Sequence, residues 1–206
     1  RNVAGLPLPE PIESYSLSPI TSASQIIRVD GQAEEKTDIR YVFAQAELPA
    51  NPQRYVTSQV MQEALDKRLH NAIREASGLT YGTSIFQRPQ FFYDQQWALH
   101  VRMSTDPARE SEALAELDTT FQHVLDSPFT EVEVAQANHR VLEQYKQSAT
   151  TNSGLLNALT DMVIIGADLT EYNDYRERLE QVTSESVNEL AIQLLNGKKV
   201  VAIHNP

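Results

Sequence analysis

Gln95-Gln-Trp-Ala-Leu-His-Val-Arg-Met103 alternates cleanly, with Trp97, Leu99, Val101 and Met103 on one side and Ala98, His100 and Arg102 on the other. A period of two over this length predicts a strand with one greasy face and one half-polar face. Just upstream, Leu79–Phe86 predicts a second strand, joined to the first by a loop, Gln87–Tyr93, that holds Pro89. Strands joined by a short loop pair antiparallel. Before them stands a long helix. Asn51-Pro52 places a capping side chain ahead of a proline at the first helical position. Met61, Ala64, Leu65, Leu69, Ala72, Ile73 and Ala76 then recur at three- and four-residue steps. Gly78 supplies the left-handed stop. Helix throughout from Pro52 to Ser77 would span roughly 39 Å.

The same two periods extend outward. Gln25–Val29 is a short apolar run ending at the turn dipeptide Asp30-Gly31. In Thr37–Leu48, Ile39, Tyr41 and Phe43 alternate with Arg40, Val42 and Ala44, and Pro49 closes the segment. Downstream of the central strand the pattern turns helical. Asp106-Pro107 repeats the cap-and-proline opening before Leu114, Leu117, Phe121, Val124 and Leu125. Thr130-Glu-Val-Glu133 is a capping box ahead of Val134, Ala137, Val141, Leu142 and Tyr145. Gly154–Ile165 is apolar on several sides and predicts a deeply buried helix ending at Gly166. Thr170–Glu180 is a shorter helical piece. Thr183 caps a last helix, carrying Val187, Leu190, Ala191, Leu194 and Leu195, that stops at Asn196-Gly197. Lys198–His204 closes the chain as a strand. The order β-β-α-β-β-α-α-α-α-β, with the shorter piece among the helices, predicts an α+β domain: a mostly antiparallel sheet with one layer of helices on one face.

Composition narrows the function classes. The 206 residues suit one large domain or two small ones. With 28 acidic and 17 basic residues the net charge is −11, and no Lys/Arg-rich stripe offsets it, which argues against a nucleic-acid partner. Unbroken apolar runs such as Met162–Ile165 fall far short of a membrane span. The absence of cysteine removes disulfides, thiolate zinc sites, iron–sulfur clusters and cysteine nucleophiles together. Pro7, Pro9, Pro11 and Pro19 crowd the beginning, which starts at Arg1. Residues 1–19 therefore read as an extended interdomain linker and residues 20–206 as the domain, a piece of a longer protein.

Motifs for chemistry are sparse. Neither His-Glu-x-x-His nor its inverse is present, and His70, His100, His123, His139 and His204 are scattered. His139 and Glu143, four apart on one helix face, are a single pair where a catalytic zinc wants three protein ligands, so they read as a surface hydrogen-bonded pair. There is no glycine-rich phosphate loop and no Gly-x-Ser-x-Gly elbow. The acidic stretches within Arg109–Glu116 and Glu131–Glu133 sit at helix starts, where they complement the dipole and face water. No catalytic residue and no metal ligand is expected in this chain. One constellation remains. Arg74 lies in the last turn of the long helix, off its apolar stripe, and Tyr81 begins the next strand. A helix-to-strand reversal can bring a guanidinium fork and a phenol hydroxyl to one rim, where they could hold backbone carbonyls or a carboxylate of an extended peptide. A cation in a last helical turn is also favourable by itself.

These residues carry a resemblance. Leu65-Asp-Lys-Arg-Leu69 followed by Ile73-Arg-Glu-Ala-Ser-Gly-Leu-Thr-Tyr81 resembles the pitrilysin/insulinase family of inverted-motif zinc metallopeptidases, in its second, non-catalytic homologous domain. Thr130-Glu-Val-Glu-Val-Ala-Gln-Ala-Asn138 is similar to a capped helix of that family, with Asn138 in place of a lysine. Val182-Thr-Ser-Glu-Ser-Val187 is similar to another, with Ser186 in place of an aspartate. The likeness runs in order over about residues 20–206. It implies about six mostly antiparallel strands backed by helices. It implies a clam-shell parent whose N-terminal half carries the zinc motif and zinc, with this half closing over the peptide substrate. Arg74 and Tyr81 map onto the family's substrate contacts from the non-catalytic half. The resemblance also points to a periplasmic or otherwise exported protein. Two other readings stand beside it: a scaffold or interaction subunit of the same family with no active zinc, and a stand-alone peptide-binding module.

Overall fold

The computed structural model describes residues 25–31, 35–45, 51–80, 82–90, 96–164 and 168–206. The proline-rich stretch 1–19 lies outside the described residues. Five strands form one sheet: β1 Gln25–Asp30, β2 Thr37–Gln45, β3 Gly82–Gln90, β4 Gln96–Thr105 and β5 Lys198–Asn205, in the order β1-β5-β2-β4-β3. β1 runs parallel to β5; every other pairing is antiparallel. The described sheet thus has five strands where the resemblance implied about six. β2, the most regular alternation besides β4, lies at the centre.

Register shows why alternation makes a core. Ile39 faces Met103, Tyr41 faces Val101 and Phe43 faces Leu99 across β2 and β4, while Ile203 and Val201 continue the rows on β5. All eight are buried. Phe121 packs its ring 5.0 Å from Phe43 and 5.3 Å from Tyr41, bringing the helical layer onto this face. That layer comprises α1 Pro52–Leu69, α2 Glu110–Asp126, α3 Glu131–Ser148, α4 Asn152–Ile164, α5 Tyr175–Glu180 and α6 Ser184–Leu195. α1 packs on β3, α3 and α6, and α6 reaches β2 and β4. The caps form as their sequences predict. Asn51 accepts from the Arg54 N–H at 2.7 Å, and Thr130 with Glu133 and Thr183 with Ser186 close capping boxes.

Four expectations are corrected. β3 begins at Gly82 rather than Leu79, because Leu79 turns inward as a buried residue closing the preceding helix. β3 then continues through Pro89 to Gln90, where a loop was expected. β3 is an edge strand, and there a proline's missing N–H interrupts no ladder. The long helix is not α-helical throughout: it passes at His70 into a π-helical segment, His70–Ala76. Finally, α4 is not deeply buried. Met162 is in the core, but Leu155, Leu156 and Val163 are exposed. Its apolar content exceeds the single stripe that neighbouring helices cover.

The opposite face of the sheet is more polar. Arg40, Arg102, Ser84 and His204 are exposed there, while Val42, His100, Phe86 and Val200 are half-buried. Gly197, just before β5, passes so close to β2 that a Cβ would stand 2.8 Å from the Ala44 carbonyl oxygen.

Candidate functional site

Arg74 stands at the end of the π-helical segment. Leu69 and Ile73, fully buried, anchor one side of that segment to the core, which leaves Arg74 on the exposed side. π geometry widens the helix by one residue per bond and shifts the phase of the residues beyond it. The segment closes with nested bonds: the Gly78 N–H reaches the Arg74 carbonyl at 3.2 Å inside the Leu79 N–H to the Ile73 carbonyl at 3.0 Å. Gly78 takes φ +59°, the left-handed stop its sequence position predicts.

The connector beyond is tied down. Arg109, in the 3₁₀ turn before α2, donates to the Gly78 carbonyl at 3.0 Å and the Ser77 carbonyl at 3.1 Å, and is itself held by Glu112 at 2.9 Å. Thr105 donates its hydroxyl to the Leu79 carbonyl at 2.6 Å, Thr80 donates to the Ser104 carbonyl at 2.8 Å, and the Gly82 N–H donates to Thr80 Oγ1 at 3.0 Å. Tyr81 lies outside the described residues; its neighbours on both sides are fixed to β4. The Ser77, Gly78 and Leu79 carbonyls of the connector are therefore taken by Arg109 and Thr105, and the Ala72, Ile73 and Arg74 carbonyls of the helix end by Ser77 Oγ and backbone N–H groups. Arg74 serves none of them, and it pairs with no carboxylate among the described residues. Sequence reading missed Arg109 as the clamp, because its position inside an acidic helix start signals only a local partner for Glu112.

Arg68, part of the motif that carried the resemblance, has a structural role. Its guanidinium takes Glu133 of α3 and the Ser127 and Pro128 carbonyls, and lies 4.4 Å from the centre of the Phe129 ring. The His139–Glu143 pair does not close as a hydrogen bond. Glu143 instead takes Lys146 at 2.7 Å, which together with nearby His139 holds its carboxyl below the ordinary range.

Among the described residues no three His, Asp or Glu side chains come together as metal ligands. A cleft of about 230 Å³ lies away from the rim, among Tyr55, Tyr145, Tyr172, Tyr175 and Asp161. Its polar groups largely answer one another: Tyr55 donates to Asp161 at 2.7 Å, and Tyr175 donates to Gln59. Burial first, then the Asp161 charge, push the Tyr55 phenol well above its ordinary value, so it stays a neutral donor.

One helical layer on a mostly antiparallel sheet is the α+β architecture that the resemblance implies. The sequence agrees: a model of the peptidase M16 inactive domain matches residues 1–141, and the chain belongs to that family. It is 28% identical over 152 residues to an uncharacterized zinc protease of Mycobacterium leprae, across 69% of this chain and 31% of that protein. The chain thus spans about a third of the curated relative's length. The fold matches that of the periplasmic protease PqqL from Escherichia coli with a TM-score of 0.74 at 20% identity, over 89% of this chain and 21% of that one. The first half of PqqL by itself matches at 0.69 and 12% identity, over 89% of this chain and 42% of that one. A peptidase M16 inactive domain from Pseudomonas fluorescens matches at 0.73 and 19% identity, over 89% and 44%.

Proposed function

We propose that this chain is the non-catalytic half of a zinc-dependent endopeptidase. It encloses and positions peptide substrate for a zinc site on an N-terminal catalytic peptidase domain of the same protein or on a homologous subunit. The zinc belongs to that other half, where it supplies a Lewis acid and an activated water when bound. Residues 1–19 link the halves, and the parent works in the periplasm or is otherwise exported. Arg74 and Tyr81 are the substrate contacts. The guanidinium fork holds backbone carbonyls or a carboxylate of the extended peptide, and the Tyr81 hydroxyl adds a further donor. Holding the peptide in one orientation and shielding it from water raises the rate of a cut made elsewhere.

One observation carries this reading. Arg74 is exposed at a helix end where the Ala72, Ile73 and Arg74 carbonyls accept from Ser77 Oγ and the Leu79 and Gly78 N–H groups, and where Arg109 and Thr105 hold the connector carbonyls beyond, so none of these is what its guanidinium serves. The test uses the full-length protein, measuring peptide turnover and bound zinc together. Arg74→Ala and Tyr81→Phe are expected to lower turnover by about tenfold, the order expected when a positioning contact is lost, with zinc content unchanged. Undiminished turnover in both variants refutes the site. A full-length protein that holds no zinc and cuts no peptide refutes the enclosing role in favour of a scaffold.

A further inference from the structure

The open face of the sheet carries two cations side by side. Arg40 and Arg102 are direct cross-strand partners on β2 and β4, and both are exposed. Like charges in that relation cost stability. Arg102 is answered by Asp38, Nη2 to Oδ2 at 2.8 Å, and Asp38 also accepts from the Ser104 hydroxyl. Arg40 meets no carboxylate among the described residues. Lys198 lies on the same face by register. Three Lys/Arg residues (Arg40, Arg102, Lys198) therefore face a single acid, Asp38, among the described strand residues there. This occurs in a chain with 28 acidic and 17 basic residues. The described part of this face is therefore locally cationic although the chain as a whole is acidic.

Beside the arginines runs a less polar row. Val200, Val42, His100 and Phe86 are in register across four strands, with the Phe86 and His100 rings stacked at 4.8 Å. This row is two residues along the strands from Arg40 and Arg102, about 7 Å by strand geometry, the same distance as two residues of any extended peptide.

We infer that the open sheet face binds an acidic polypeptide segment in extended form, with a carboxylate between Arg40 and Arg102 and an apolar side chain two positions away over Val42 and Phe86. This rests on the substrate-positioning reading only in making that segment part of the substrate. A carboxylate accepts from both guanidiniums and removes their mutual repulsion. A nucleic acid fits poorly: two guanidiniums are few against a net charge of −11, and a phosphate chain leaves the apolar row unused.

The experiment measures fluorescence anisotropy of labelled peptides with the 206-residue chain. The probes are a peptide built on Glu-Thr-Leu, its Lys-Thr-Leu counterpart and an oligothymidylate. The Glu peptide is expected to bind at least tenfold tighter than either alternative and to weaken with salt. Arg40→Glu should weaken it at least tenfold and Arg40→Gln several-fold, while Arg40→Gln leaves the thermal midpoint unchanged or raised because repulsion from Arg102 is relieved. Arg74→Ala should leave this binding intact, so the sheet face and the Arg74 rim can fail separately. Absent binding, equal binding of the Lys peptide or the oligothymidylate, or unchanged affinity in folded Arg40→Gln overturns the inference.

Discussion

Arg68 grips Glu133 with two parallel bonds, Nε to Oε1 at 2.8 Å and Nη2 to Oε2 at 2.9 Å, and so pins the start of α3 to the end of α1. The same guanidinium satisfies the Ser127 and Pro128 carbonyls of the α2–α3 connection. Arg68→Ala removes all four contacts and the packing on Phe129. It is expected to cost about 2–3 kcal/mol, the range for breaking a partly buried charged network, and to lower the thermal midpoint by about 4–10 °C. Scanning calorimetry checks this, and a shift under about 2 °C would show the network to be dispensable.

The pair also has a pH signature. Hydrogen bonds from Arg68, then those from the Thr130 N–H and hydroxyl, hold the Glu133 carboxyl down at about 2 against an ordinary 4.5. A carboxyl depressed in the fold stabilises only while ionised. Its contribution is complete above about pH 4.5 and is lost as pH falls from there toward 2. Because the Glu133 side chain is 35% exposed, screening keeps the contribution to about 1–2 kcal/mol. Glu133→Gln retains an acceptor for the capping box. The difference in thermal midpoint between it and the parent should be constant from pH 5 to 7 and shrink steadily below 4.5. A gap that persists near pH 2 would locate the stabilisation elsewhere than in the charge.

The sequence made β2, β4, α1 and the capped helices legible because each carries its own period and its own terminator, from Ile39-x-Tyr41-x-Phe43 to Thr130-x-x-Glu133. What it hid depends on neighbours. Pro89 reads as a loop until β3 is known to be an edge strand. The π-helical segment after His70 leaves no periodic trace, since Leu69 and Ile73 are spaced as in any α-helix. Arg74 could be singled out from its place off the apolar stripe, but the connector carbonyls just beyond its helix are held by Arg109, a residue 35 positions later in the numbering. Arg40 and Arg102 look like ordinary polar members of alternating strands; only the register sets them side by side.

Gly78 fixes where that helix end points. At φ +59° a side chain is strained although nothing lies within 4 Å of a Cβ there, so the cost of Gly78→Ala is purely conformational. It is expected to be about 1–2 kcal/mol, the usual penalty for a left-handed residue with a Cβ. Gly82→Ala, also open around its Cβ but without the positive φ, should cost distinctly less by chemical denaturation. Equal costs would mean that the left-handed stop is not what holds the connector.

The exposed apolar residues of α4 make the opposite forecast to the one its sequence suggests. Leu156 is 65% exposed, whereas Leu179 of α5 is 1% exposed and inside the core. Truncating a buried leucine loses its transfer energy and leaves a cavity, so Leu179→Ala should cost about 2–5 kcal/mol. Leu156→Ala loses little of either and should stay within about 0.5 kcal/mol. Urea unfolding of the 206-residue chain measures both against the same parent. The contrast also bears on enclosure: if α4 packs against another half of a longer protein, Leu156→Ala should become costly there while remaining neutral in this chain. A large cost in this chain alone would restore the buried helix that the apolar content of Gly154–Ile165 predicts.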